Sequence, residues 1–63
     1  MTENMKEWLR QLYLDAAEEH RCAASNENIW ALGSDGEAST LHIQNSMEHI
    51  SFANLLTNMS NEI

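Results

Sequence analysis

The chain has 63 residues, and ten acidic residues against three basic ones give it a formal charge of −7 at pH 7. This length leaves room for one small core, so we expect residues 1–63 to form a single domain. The single cysteine, Cys22, excludes an internal disulfide framework and is typical of a reducing compartment, which predicts a cytoplasmic protein.

The first predicted element is a helix over about residues 3–24. Thr2 is suited to its N-cap, because a threonine hydroxyl accepts a hydrogen bond from an amide of the first turn. Opposite charges three positions apart stabilise a helix surface when they pair. Three such pairs are expected: Glu3–Lys6, Glu7–Arg10 and Glu18–Arg21.

Apolar residues recur along this helix at three- and four-residue spacing, which is typical of a face that packs against another helix. Leu14 lies on nearly the opposite side. The residues of the predicted packing face are Met5, Trp8, Leu9, Leu12, Ala16 and Ala23.

A short helix over about residues 26–32 is expected next, because Ser25 can cap a new helix. Two glycines then predict a turn over residues 33–36. A β-hairpin with strands around residues 29–32 and 40–43 is the alternative, although a lone two-stranded hairpin is only marginally stable.

The second long helix is expected over about residues 35–59. Ser34 and Glu37 have the spacing of a capping box, in which each side chain bonds to the backbone amide of the other residue. This helix has apolar residues on two sides, whereas a lone helical hairpin covers only one face of each helix. The second side therefore needs a partner.

These patterns predict an all-α fold, an antiparallel helical hairpin with a short connecting helix that dimerises into a four-helix bundle. The apolar residues that the hairpin leaves uncovered form the predicted partner or dimer interface. They are Leu14, Trp30, Ile43, Met47 and Ile50.

Polar residues in the middle of one helix stripe predict a buried polar network. Imidazole and carboxylate groups are ligands for zinc and iron. However, His42 and His49 are about 10.5 Å apart along a helix, which is too far for one ion. We therefore predict hydrogen bonds that fix helix register, with no metal and no other cofactor. Pairing about the turn brings together Glu19, His20, His42, Asn45 and His49, with Glu19 and His20 level with His42 and Asn45.

No residue pattern typical of an active site occurs in the chain. Cys22 is near His20, but residues one or two apart on a helix do not face each other. Ser34 lacks the surrounding pattern of a nucleophile elbow. We predict no catalytic residue and no enzyme activity.

The charge distribution restricts the class of partner. Lys6, Arg10 and Arg21 are the only lysines and arginines, whereas nucleic acids and anionic membranes attract clusters of basic residues. No apolar run approaches the roughly 18 residues that a membrane span needs. We therefore expect no direct binding of nucleic acid and no membrane partner.

The sequence as a whole predicts a small regulatory or protein-interaction protein that acts through an apolar and acidic helical surface. We expect a homodimer, with a basic protein as a candidate partner. Two alternatives stay open. One is an acidic mimic of nucleic acid that inhibits a DNA- or RNA-binding protein, and the other is a small metal-binding helical bundle.

Overall fold

Two antiparallel α-helices make up the structure, a computed structural model that describes residues 1–63. Helix α1 spans Glu3–Leu32 and helix α2 spans Gly36–Glu62. The predicted all-α hairpin is confirmed, and the alternative β-hairpin is wrong because its residues are helical. Neither helix contains a stretch that is both long and apolar enough to cross a membrane.

Helix α1 continues through the break that was predicted at Ser25. The short helix over residues 26–32 is therefore the last part of α1, and the predicted end near residue 24 is wrong. Serine and asparagine are weak helix formers, but each costs only about 0.7 kcal/mol or less relative to alanine. No proline interrupts the backbone hydrogen bonds there, so the helix persists. Helix α2 also extends beyond its predicted end, to Glu62.

The helix ends agree with one predicted cap and contradict the other. The Thr2 hydroxyl accepts a hydrogen bond from the Met5 amide at 3.2 Å, as predicted. The capping box is wrong, because Asp35 is the N-cap of α2 and its side chain makes no capping bond. The Ser34 hydroxyl instead donates to the Trp30 carbonyl at 2.8 Å, which adds a second hydrogen bond to a carbonyl that also accepts from the Gly33 amide.

The two helices meet along small residues spaced by seven. A seven-residue repeat keeps the same side of each helix turned towards its partner, and small side chains let the two backbones approach closely. We call these residues the small-residue seam. It consists of Ala17, Ala24 and Ala31 on α1, and Ser46, Ala53 and Ser60 on α2, which are the six buried residues of the chain.

Hydrogen bonds between a side chain and the opposite backbone join the helices at both ends of the seam. Near the turn, the Ser39 hydroxyl donates to the Ala31 carbonyl at 3.0 Å. Near the termini, the Ser60 hydroxyl donates to the Arg10 carbonyl at 3.2 Å, and the Arg10 guanidinium donates to the Ile63 carbonyl at 3.0 Å. A serine side chain is short, so the Ser39 and Ser60 bonds require the two main chains to lie close together.

The packing face and the helix register differ from the prediction. Met5, Trp8 and Leu12, which were expected between the helices, are exposed. His20 contacts His49 rather than lying level with His42. The register differs because α1 continues about eight residues past its predicted end before the chain turns.

The exposed side chains leave the hairpin with a large accessible surface. Its 4665 Å² exceeds the roughly 4,100 Å² expected of a compact monomer of this mass. The Cα atoms span 51 × 14 × 10 Å, so the molecule is a rod only one helix thick. Such a rod has no interior in which a large side chain can be buried.

Candidate functional site

The small-residue seam divides the hairpin surface into two faces, and contacts between side chains of the two helices identify each face. On one side His20 meets His49. On the other side the Arg21 guanidinium donates to the Thr57 hydroxyl at 2.9 Å. Residues seven apart share a side of their helix. A residue seven positions from one of these contact residues therefore lies on the same face as that contact. We call the two sides the histidine face and the isoleucine face.

A histidine pair lies at the centre of the histidine face. The Nδ1 atoms of His20 and His49 are 2.9 Å apart, and their ring centroids are 5.1 Å apart. One Nδ1 donates the hydrogen and the other accepts it, so at least one of the two rings is neutral. The ring of Phe52 lies 5.4 Å from the His20 ring and covers one side of the pair.

A second polar pair lies closer to the turn on the same face. His42 Nδ1 is 2.6 Å from Glu27 Oε2, and only 14% of the Glu27 side chain is exposed. The ring of Trp30 lies 5.7 Å from the His42 ring. Glu27 was missed in the sequence because a helix break was expected at residue 25. Its spacing of seven from His20 is the signal that places it on this face.

The structure brings together only part of the predicted polar network. His20 pairs with His49, and His42 pairs with Glu27. Glu19 is exposed and joins neither pair, contrary to the prediction, because the longer α1 brings Glu27 to the level of His42. Asn45 is half-buried, and its side chain makes no hydrogen bond within the hairpin.

The histidine face is apolar towards both of its ends, and both helices contribute. Leu9 and Met59 lie near the termini, Trp30 lies near the turn, and Phe52 lies in the middle. Each helix has a second row of residues spaced by seven, which lies one step farther from the seam than the row that contains the polar pairs. These rows are Leu9, Ala16, Ala23 and Trp30 on α1, and Ala38, Asn45, Phe52 and Met59 on α2.

A third row on each helix, farther still from the seam, forms the outer edge of the histidine face. On α1 it contains Met5 and Leu12 towards the termini and Glu19 near the middle. On α2 it contains Leu41 and Leu55, which alternate with Glu48 and Glu62. These four apolar side chains are exposed, so the face is broad as well as long.

The isoleucine face has apolar side chains on both helices, with Leu32 of α1 in its second row and Trp8 and Ile29 of α1 at its outer edge. Ile43 and Ile50 are in the row of Thr57, and the exposed Met47 lies beside them. The facing row of α1 contains Leu14 together with Glu7, Arg21 and Asn28.

The predicted partner interface is therefore divided between the two faces. Leu14, Ile43, Met47 and Ile50 lie on the isoleucine face, whereas Trp30 lies on the histidine face. All five side chains are exposed.

The three basic residues of the chain all lie on α1, and each is paired with a glutamate there. The three predicted ion pairs are confirmed, with nitrogen–oxygen distances of 3.4 Å for Glu3–Lys6, 3.0 Å for Glu7–Arg10 and 3.6 Å for Glu18–Arg21. No lysine or arginine follows position 21. The turn and α2 therefore present acidic groups without basic neighbours in the sequence.

The groups that could perform chemistry are scattered over the hairpin. No three histidine, cysteine, aspartate or glutamate side chains lie close enough together to hold a metal ion. Cys22 is exposed, and its Sγ lies 3.9 Å from Glu18 Oε1. The one concavity is an open groove on the outside of α2, lined by Gly36, Glu37, Thr40, Leu41 and Gln44.

The candidate site is a pair of long surfaces that differ in composition. The second row from the seam is apolar on the histidine face except at Asn45, whereas on the isoleucine face it is apolar only at Leu32 and Met47. Comparison with known proteins finds no matching family model, curated protein or solved structure.

Proposed function

We propose that this chain is a non-catalytic protein-interaction or regulatory module that works as a homodimer, with two hairpins forming a four-helix bundle. The composition of the core carries the proposal, because the only fully buried residues are alanine and serine. Burial of a large apolar side chain contributes about 1.5–3 kcal/mol. The lone hairpin gains little of this free energy, and small chains commonly obtain it by oligomerisation.

The acidic surface supports a further, basic protein as the partner of the dimer. Helix α2 has no lysine or arginine of its own to balance Glu37 and Glu48. A basic partner is attracted to such a surface during encounter, and apolar contacts then supply affinity. In this proposal the dimer acts in the reducing cytoplasm, where the exposed thiol of Cys22 stays reduced.

The mass in solution tests the proposed dimer directly. Sedimentation equilibrium over a range of concentrations should give twice the 7.2 kDa of one chain. Circular dichroism on the same samples reports whether the helices are formed. A well-folded protein that keeps the mass of one chain at all concentrations would contradict the proposal.

The salt dependence of partner binding separates this proposal from the nucleic-acid mimic. A mimic replaces phosphates with carboxylates, so its binding should weaken steeply as salt is added. Glu37 and Glu48 are 11 residues apart, about 16 Å along a helix, whereas phosphates on one strand recur every 3.4 Å or so. This sparse spacing favours an interface with a large apolar part, for which salt has a small effect.

The remaining alternative, a metal-binding bundle, is tested by thermal unfolding. A metal that binds only the folded state must raise the melting temperature. We expect the same melting temperature with Zn²⁺, with Ni²⁺ and with a chelator. A rise with either ion that the chelator reverses would favour the metal-binding alternative.

A further inference from the structure

We infer that the second copy of the chain covers the histidine face and not the isoleucine face. This inference rests on the self-association proposed above and adds its geometry. The decisive difference lies in the second row from the seam. On the histidine face seven of the eight residues in this row are apolar: Leu9, Ala16, Ala23 and Trp30 on α1, and Ala38, Phe52 and Met59, but not Asn45, on α2. A four-helix bundle requires every helix to bury apolar surface in the shared core.

In the second row of the isoleucine face only Leu32 on α1 and Met47 on α2 are apolar. The row of α1 next to the seam has a single apolar residue, Leu14, among charged and polar ones, and the apolar Trp8 and Ile29 lie at the outer edge. Arg21 in the row next to the seam is held by an ion pair with Glu18 and by its bond to Thr57. Covering this face would remove both charges of the Glu18–Arg21 ion pair from water, and the attraction within such a pair often fails to offset that desolvation.

The size of the histidine face matches what a stable dimer needs. The Cα atoms of the hairpin span 51 Å by 14 Å, a footprint of roughly 700 Å² before side chains are added. A stable interface of standard size covers about 800 Å² on each partner. Because Met5 and Leu55 lie towards the termini and Trp30 lies towards the turn, the second copy must overlap the full length of the face to bury them all.

The polar middle of the face is partly prepared for burial. Each of its two polar pairs has an internal hydrogen bond, between the Nδ1 atoms of His20 and His49 and between His42 Nδ1 and Glu27 Oε2. The Nε2 atoms of the three rings have no partner within the hairpin. A satisfied polar group loses less on removal from water than a free one. The Asn45 amide has no partner within the hairpin, and the second copy can supply one.

Full-length overlap brings the histidine pairs of the two copies to the same level. His49 is the central residue of α2, with 13 helical residues on either side, and His20 lies near the middle of α1. A two-fold axis that pairs two rods over their whole length places the middle of one hairpin against the middle of the other. The dimer therefore has four imidazoles in one central layer, between apolar layers at both ends.

Two glutamate substitutions two positions apart on α2 test this assignment. Phe52 is 52% exposed on the histidine face, and Ile50 is 44% exposed on the isoleucine face. Phe52→Glu should weaken the dimer roughly tenfold or more, because it places a charge inside the interface. Ile50→Glu is the matched control and should change the dimer dissociation constant by less than about threefold. Sedimentation equilibrium measures both constants, and circular dichroism confirms that the helices are intact.

A second matched pair on α1 keeps the inference testable if Phe52→Glu fails to fold. Leu12 is 44% exposed at the outer edge of the histidine face, and Leu14 is 39% exposed on the isoleucine face. Leu12→Glu should weaken the dimer, and Leu14→Glu should not.

The inference is overturned if the isoleucine-face variants weaken the dimer as much as, or more than, their histidine-face counterparts. That result would leave the proposed dimer intact. A folded wild-type chain that stays monomeric at all concentrations would overturn the proposed function, and this inference with it.

Discussion

The Ser39 hydroxyl donates a hydrogen bond to the carbonyl oxygen of Ala31 on the opposite helix, at a distance of 3.0 Å. A serine oxygen can reach the main chain of a neighbouring helix only when the two backbones are close. Serine and alanine at seven-residue intervals maintain this close approach along the small-residue seam. The seam consequently has no room for a larger side chain.

Ala24→Leu should destabilise the hairpin by about 1–3 kcal/mol, because the added carbons must push the helices apart. Ala24 is 3% exposed in the middle of the seam. The free energy of unfolding in urea measures the loss. Ser25→Leu, at the exposed neighbouring position, is the control and should change stability by less than about 0.5 kcal/mol. Equal losses in the two variants would contradict the close packing of the seam.

The sequence predicted the hairpin but not the side on which its helices meet. Met5, Trp8 and Leu12 were predicted to form the packing face because they are large and apolar. Burial of large side chains usually decides how helices pair. Here the tightest contact uses alanine and serine, whose hydrophobic signal is weak. The seven-residue spacing of Ala17, Ala24 and Ala31 was the available signal, and it was visible only if α1 was read as one uninterrupted helix.

His20 and His49 should show a coupling free energy of about 0.5–1.5 kcal/mol in a double-mutant cycle, as expected of one hydrogen bond. The cycle uses His20→Ala, His49→Ala and the double variant, each measured by urea unfolding. A cycle between His20 and His42 is the control, because these two residues share no hydrogen bond in the structure. Additive losses for His20 and His49 would show that the Nδ1 contact contributes nothing to stability.

The histidines of the candidate site were predictable as a group, but their pairing was not. The helical wheel placed His42 and His49 on one side of the second helix, and the structure places both on the histidine face. The partner of each one depends on register, and register depends on where α1 ends. An error of about eight residues at that end replaced Glu27 with Glu19 in the predicted network.

Glu27→Gln should destabilise the hairpin by about 1 kcal/mol, because a neutral amide binds the His42 ring less strongly than a carboxylate does. The estimate lies between the values for exposed and buried pairs, since the Glu27 and His42 side chains are 14% and 29% exposed. Glu19→Gln makes the same chemical change at an exposed position and should have little effect. Thermal unfolding compares the variants, and a similar effect at both sites would contradict the pairing of Glu27 with His42.

Gly36→Ala should cost about 1–2 kcal/mol, because the φ angle of Gly36 is +59° and an L side chain is strained there. Gly33 is the matched control in the same turn. Its φ of −91° is an ordinary angle, and a Cβ added there would lie 3.8 Å from the Trp30 carbonyl, a normal contact. Gly33→Ala should therefore be tolerated. Urea unfolding of both variants tests the turn, and equal stability would contradict this backbone geometry.

The antiparallel fold gives the rod two electrically different ends. Lys6 and Arg10 lie near the termini, where the chain also brings Glu62 back alongside them, whereas Glu27 and Glu37 lie towards the turn with no basic residue nearby in the sequence. In the proposed dimer, parallel rods would press two acidic ends together. Opposed rods keep these ends about 51 Å apart, well beyond the screening length of about 8 Å at physiological salt. Electrostatic repulsion alone should therefore orient the two copies head to tail.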